Sequence, residues 1–514
     1  MLNKLINYFK QIYITRLLIK REVSNLQNQP SKVIYINTIR SLPNHFITEV
    51  NLALIFLKSG FKVEIILDDG VFEHVEYTVY SGKPRLFYVL IFILGKIRRR
   101  LDFFLWNKFI GHISKNFIIK GVSTIHYDKM NYDYSQKSSD FVKSSMIRFF
   151  NNEIWENSHI SFWYENITQY NVQISKGIGS YVQDKLKDCD IFVTSHGIYS
   201  LWGPAFNQIR NSKQKIVYGP NIYCVSKLQL FNNTQQFSFI EDSLTNFLLL
   251  DLGFEEQKKV EEFLNTRFEL KGKDTRAYFN DVLNNDDFKL PKREQLPGKV
   301  FVAFPNVIWD GNIAERDTLF KSIRDWIILL IEHFKKFNKN TLIIRFHPAE
   351  TTWLDGSVKF ESTLVEYLND INLYENIKII SSGNRLKSYD LLNKYADYTL
   401  VYDGFIALES PFWEVPVLFA ASGRFNVSNF GLQFKSINEY FDFISNPKEI
   451  LNLEDQRILA IKIIYYYIFY NSYYFPVLAN ENDDYSYDAY AFLNSEKKLE
   501  NSAVSIMLGV ERCL

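Results

Sequence analysis

Short apolar runs and helically spaced apolar positions alternate along the chain, and their order predicts two successions of strands and helices. Residues 31–37 read as a first buried strand. Residues 46–58 carry apolar side chains at helical spacing and stop at Gly60. Residues 61–67 form a second strand, closed by Asp68, Asp69 and Gly70. Strand, helix and strand within about forty residues make a βαβ unit, so a parallel sheet begins here. Further strands are expected at 190–193 and 215–218. The stretch 129–170, rich in Asn, Ser, Tyr and Phe, has no clean period and reads as helices and loops.

Between 241 and 299 the pattern changes. Residues 254–268 form a charged amphipathic helix, and 284–298 are polar with Pro291 and Pro297, which marks a join between domains. A second succession follows, with strands at 299–304, 341–346, 377–381, 398–402 and 415–419. Its helices fall at 319–337, 386–395 and around 407–413. The expected fold class is α/β, with two doubly wound Rossmann-like domains facing across a cleft. Boundaries are placed at 1–245, 246–298 (interdomain helices and linker), 299–450 and 451–514, the last a helical segment packing back across both domains. No Gly-x-Gly-x-x-Gly follows the first strand, so the dinucleotide fingerprint is absent.

Composition narrows the class. With 514 residues and 47% hydrophobic content the chain can build large cores in more than one domain. A formal net charge of +1 offers no global electrostatic case for nucleic acid. Cys189, Cys224 and Cys513 lack metal-ligand spacing, which fits a reduced, cytoplasmic setting. Lys4, Lys10, Arg16 and Lys20 sit among spaced apolar residues with no signal-peptide core after them, the pattern of an amphipathic surface helix. The uncharged apolar run 86–94 is too short to span a bilayer. It is flanked by Lys83 and Arg85, then by Lys96, Arg98, Arg99 and Arg100. Two readings stand open for it: a peripheral contact with an anionic membrane on the inner face, or a buried helix with a basic end.

Candidate chemistry gathers where strands end. Arg345, His347 and Glu350 lie at and beyond the strand 341–346, and Pro348 pushes His347 towards an extended conformation. Ligands of open α/β sheets bind outside the carboxyl ends of the strands. A cation and an imidazole there suit a phosphorylated ligand. Asn306 and Asp310 fall in the loop after the strand 299–304, and Glu409 beyond the fourth strand. In the first domain, Asp68 and Asp69 end a strand as a possible general base or as a turn, and His196 ends another as a catalytic or a structural histidine. His45 and Glu49 are four apart, on one helix face, as a further acceptor-side or catalytic pair. No metal-ligand cluster is read.

At these residues the chain resembles the capsule polysaccharide biosynthesis proteins, GT-B glycosyltransferases related to capsular and lipopolysaccharide β-Kdo transferases. The strand with His347-Pro348 and the element from Ala407 and Glu409 to Pro416-Val417 carry the likeness, mainly over residues 299–425. The loop from Asn306 to Asp310, and Trp326, look like the same pattern. The His-Pro element is also similar to that of bacterial sialyltransferases, which pair it with an acidic-acidic-Gly motif; Asp68-Asp69-Gly70 matches that motif in order and domain. The resemblance implies a metal-independent enzyme with no bound cofactor. Its co-substrate would be a nucleotide sugar, a CMP-sugar foremost, and its acceptor a glycan or lipid-linked glycan. His347 would contact donor phosphate and Glu409 the ribose. Gly404 and Ala407 depart from the hydroxyl residues usual in the group, which leaves the donor open. Alternatives are a teichoic-acid-type polyol-phosphate transferase and a non-catalytic polysaccharide export or binding protein.

Overall fold

The structure, a computed structural model, describes residues 2–24, 32–38, 43–74, 85–111, 113–125, 140–150, 160–187, 190–210, 213–220, 227–233, 242–269, 290–308, 319–352, 360–384, 386–423, 425, 427–450, 452–471 and 473–474. The first domain holds six strands: β1 (Val33–Thr38), β2 (Lys62–Leu67), β3 (Phe117–Gly121), β4 (Ile191–Ser195), β5 (Gln214–Pro220) and β6 (Lys227–Asn232). The second domain holds β7 (Val300–Phe304), β8 (Thr341–Arg345), β9 (Ile377–Ile380), β10 (Tyr398–Val401) and β11 (Val417–Phe419). A last short strand, β12 (Tyr473–Tyr474), follows the terminal helix.

The first sheet runs β12-β6-β5-β4-β1-β2-β3 and the second β11-β10-β7-β8-β9. The second is parallel throughout, as is the first from β5 to β3. β6 and β12 add antiparallel. Each sheet therefore has a switch point, between β1 and β4 in the first and between β7 and β10 in the second. Every residue of β7 and β8 is buried, as a strand covered by helices on both faces requires.

Helix Ile323–Lys336 shows how pattern becomes packing. Ser322 caps it by accepting the Asp325 N–H at 3.0 Å, and Ile323, Trp326, Ile327, Leu330, Ile331 and Phe334 form its buried stripe. Trp326 is core, its Nε1 donating to the Tyr440 hydroxyl at 3.1 Å. Burying each such large side chain contributes about 1.5–3 kcal/mol.

The two domains share a third body of core. Phe206, Val217 and Phe231 from the first domain join Val401, Val417 and Phe419 from the second, through Ile463, Ile464 and Tyr467 of the terminal segment. Helix Leu453–Tyr465 and the π-turn Tyr466–Tyr470 make this junction, and Gln229 on β6 donates to the Tyr467 carbonyl at 2.6 Å. Two doubly wound domains tied by a terminal helix packed back on both constitute the GT-B arrangement. The terminal segment is not purely helical, since β12 pairs with β6 in the first sheet. β3 and β6 were not anticipated from the apolar pattern. β3 alternates buried and half-buried residues at the sheet edge, and in β6 Lys227 and Gln229 break up the apolar residues.

Candidate active site

The ladders of the second sheet set three polar residues level. Phe304 pairs with Val401, and Asn306 and Asp403 each lie two residues further on; Ala303 pairs with Ile344, and Asn306 and His347 each lie three beyond that pair. By register, Asp403, Asn306 and His347 fall in one row past the carboxyl edge, in the loops that follow three adjacent strands. Asn306 closes the switch point, where its Nδ2 donates to the Asp403 carbonyl and its Oδ1 accepts the Asp403 N–H at 3.2 Å. Gly423 packs on the Asp403 carboxylate so closely that a Cβ would fall 2.5 Å from its Cγ.

His347 is the exposed member of this row. The Ala349 N–H donates to its Nδ1 at 3.1 Å, so the neutral ring carries its proton on Nε2, which has no hydrogen-bond partner among the described residues. The dense protein around the ring, and next the Arg345 guanidinium, push its pKa down to about 4. Access for a ligand follows from the open surface, whereas the crowded surroundings govern the proton. At neutral pH His347 is an N–H donor rather than a cation.

Arg345 is not the exposed cation expected beside it. Its side chain is buried, donating to the carbonyls of Ser381 and, at 2.8 Å, Asn384, and it fixes the loop after β9. Burial lowers its pKa to about 10, with Glu361 and Glu350 opposing. Glu350 is likewise buried and accepts the Phe360 N–H at 3.0 Å. Glu409 is buried too; its Oε1 accepts Arg267 Nε at 2.7 Å and the Tyr389 hydroxyl at 2.9 Å. Burial and then Glu409 raise the pKa of Tyr389. Arg267 ends the helix Phe254–Phe268, so Glu409 anchors the interdomain helix to the second domain. Asp310 lies outside the described residues. The sequence reading missed Asp403, Arg267 and Tyr389 as partners in this region. Only the strand register could have found Asp403, and the contact of Arg267 spans 142 residues with no local signal.

In the first domain the same edge carries Asp68 after β2 and His196 after β4, on either side of β1. Asp68 is 1% exposed. Its Oδ1 accepts the N–H groups of Gly70 and Val71 at 2.9 Å each, and its Oδ2 lies 2.6 Å from Arg99 Nε. Burial pushes this carboxyl up, while Arg99 and the backbone donors pull it down. The arrangement is that of a turn anchor closed to an acceptor hydroxyl. Asp69 is half-buried and accepts the Ser123 N–H at 3.1 Å and the Ser123 hydroxyl. Glu49 is buried under the sheet, accepting from the Tyr218 hydroxyl, and the His45 side chain lies outside the described residues.

His196 stands in a strained turn. Its φ is 56°, and those of Gly197 and Tyr199 are 66° and 63°. Left-handed backbone at non-glycine residues is costly and persists where surrounding contacts hold it. Ser195 Oγ bonds the His196 Nδ1, and the ring stacks on Trp202 at 5.3 Å. Arg148 donates to the Tyr199 hydroxyl at 2.8 Å and lies over its ring. The ring of His196 is half-buried at the switch point of the first sheet.

No protein-family model matches the chain, and no curated protein matches it. Among solved structures it is similar to the β-Kdo 2,7 transferase KpsC of Thermosulfurimonas dismutans, at 13% identity, covering 62% of this chain and 89% of that chain with a TM-score of 0.35. It is also similar to an α,α-trehalose 6-phosphate synthase of Burkholderia multivorans, at 9% identity, covering 93% and 100% with a TM-score of 0.29. The fold assignment rests on this chain's own strand order and connections. Among the described residues, no group of three or more His, Cys, Asp or Glu is placed to hold a metal ion.

Proposed function

We propose that this protein is a glycosyltransferase that moves a sugar from a nucleotide-activated donor, a CMP-sugar foremost, to a growing bacterial surface polysaccharide. The observation that carries the reading is His347. It is an exposed imidazole whose Nδ1 is held by backbone, leaving Nε2–H beyond the carboxyl edge of a doubly wound sheet, level with the Asn306–Asp403 switch point. Such a donor can bond a phosphate oxygen of the nucleotide as negative charge builds on the leaving group. Proton uptake by the ring would strengthen the bond. On the acceptor side the reaction needs a base for the attacking hydroxyl. His196, half-buried at the switch point with Ser195 on its Nδ1, suits that role better than Asp68, whose carboxylate is enclosed by Arg99 and backbone donors.

The test is a thermal-shift series with CMP, UDP, GDP and CDP-glycerol on the wild type and His347→Ala. The reading expects stabilisation by a nucleotide, greatest for CMP, and its loss in the variant. Stabilisation by CDP-glycerol alone would assign a polyol-phosphate transferase. No shift with any nucleotide would leave a polysaccharide-binding or export role.

A further inference from the structure

Helix Arg85–Trp106 is apolar on two opposite sides. Tyr88, Phe92 and Trp106 are buried, together with Arg99, which pairs with Asp68. Leu86, Leu90, Leu94, Ile97, Leu101 and Phe104 are exposed, from 48% at Ile97 to 69% at Leu86. At 3.6 residues per turn these six fall within an arc of about 80°, roughly opposite the buried set. A stripe of this extent that no described residue covers, on a surface helix, marks an interaction face.

The charges say what covers it. On the same wheel Arg98 borders the stripe on one side and Arg100 on the other, with Lys96, paired to Glu73 at 2.7 Å, and Arg85 further round towards the buried set; Asp102 is the helix's sole acidic residue. Arg85, Arg98 and Arg100 are exposed. Helix Leu2–Ser24 packs nearby: its Ile12, Ile14, Leu18 and Ile19 share a core with Trp106 and Ile110. That helix exposes Phe9, Tyr13 and Leu17 at four-residue spacing, with Lys10, Lys20 and Arg21 also exposed. Long basic side chains along both borders of an apolar stripe can reach lipid headgroups while the stripe enters the acyl boundary. A second copy docking on this face would bring like charges together. No helix of the described residues is long and apolar enough to cross a membrane, so contact of this kind is in the plane of the surface.

From this geometry we infer that helices Arg85–Trp106 and Leu2–Ser24 form a docking face for an anionic lipid bilayer. The face stands independently of the chemistry proposed above, and nucleotide thermal shifts are unaffected by its loss.

The experiment is co-sedimentation of the full chain with vesicles of phosphatidylcholine alone or with one-quarter phosphatidylglycerol, in 0.1 M and 1 M NaCl. The wild type is expected to pellet with the anionic vesicles at low salt and to be released at high salt. Arg98→Gln/Arg100→Gln should weaken binding by roughly ten-fold or more. Leu90→Gln/Leu94→Gln, which leaves the charge and the core intact, should abolish it, and circular dichroism of both variants should match the wild type. No sedimentation with either vesicle, equal binding to neutral vesicles, or binding untouched by the leucine variant would each overturn the inference. A dimer in light scattering that the leucine variant dissolves would also overturn it, in favour of a second copy.

Discussion

Asn306 and Asp403, 97 residues apart, are joined through both polar atoms of one side-chain amide, which takes the backbone carbonyl and N–H of Asp403 across the switch point of the second sheet. The pairing holds the ends of β7 and β10 together where the strands part. Asn306→Ala should strand two backbone groups and cost about 1–3 kcal/mol in chemical denaturation. Asn306→Asp, which keeps the acceptor for the Asp403 N–H but sets a carboxylate oxygen against the Asp403 carbonyl, should cost at least as much at neutral pH. Equal stability of all three would show that the amide does not bridge the strands.

Glu409 was expected at a nucleotide ribose, and its carboxylate instead grips Arg267 and Tyr389. Removing one member of a buried ion pair costs about 3–5 kcal/mol, and the partial exposure of Arg267 places Glu409→Gln near or below the lower end. A double substitution, Arg267→Met with Glu409→Leu, should recover much of that loss. A Glu409→Gln protein of unchanged stability and weakened nucleotide binding would return the residue to the ribose.

The parallel strands, β3 excepted, were legible because mostly buried faces leave short apolar runs between turns. Edge strand β3 escaped because half-buried positions dilute that signal, and β6 because Lys227 and Gln229 interrupt its apolar residues. Residue type found the carboxyl ends, and there it found His347 and Asn306. It could not tell an exposed side chain from a buried one two positions away on the same strand end. Arg345 and His347 both read as donor ligands, yet the buried guanidinium serves the loop at Asn384 and the imidazole faces out. In the same way Asp68 and Asp69 read as one acidic motif. Arg99, arriving from another helix, gives Asp68 a structural task that no local pattern announces.

His74 gives the fold an acid-sensitive point. Its ring is buried and stacked on Phe92 at 4.1 Å, and burial, then Arg99, lower its pKa from 6.5 to about 3. A base whose folded pKa lies below its unfolded value binds its proton better when unfolded. Stability is therefore full above pH 6.5 and falls as pH drops from there towards 3. The slope from this one group is on the order of 1 kcal/mol per pH unit. His74→Phe should flatten the decline when midpoints of denaturation are compared at pH 7.5, 6 and 5. An unchanged decline would place the acid-sensitive group elsewhere.

His347 makes the sharpest test of the site, because its proton is coupled to its ligand. In the free protein the ring is neutral above about pH 4 and offers Nε2–H as an uncharged donor. A phosphate beside it favours the imidazolium, so the pKa rises in the complex and binding takes up a proton. Affinity through this residue must then strengthen as pH falls from above the bound-state pKa towards 4. Nucleotide phosphate titrates in the same range, so the informative quantity is the affinity ratio of wild type to His347→Gln, in which the ligand's own protons cancel. Glutamine keeps a neutral donor, and the ratio should be near one at pH 8.5. Below the bound-state pKa it should grow by about ten-fold for each unit by which the pH falls, until about pH 4 is reached. Calorimetric titration from pH 8.5 to 5.5 in buffers of different ionisation enthalpy measures both the ratio and the proton taken up. A ratio that stays flat with no proton uptake would mean that the imidazole remains neutral beside its ligand, and a ratio of one for His347→Ala as well would remove His347 from the site.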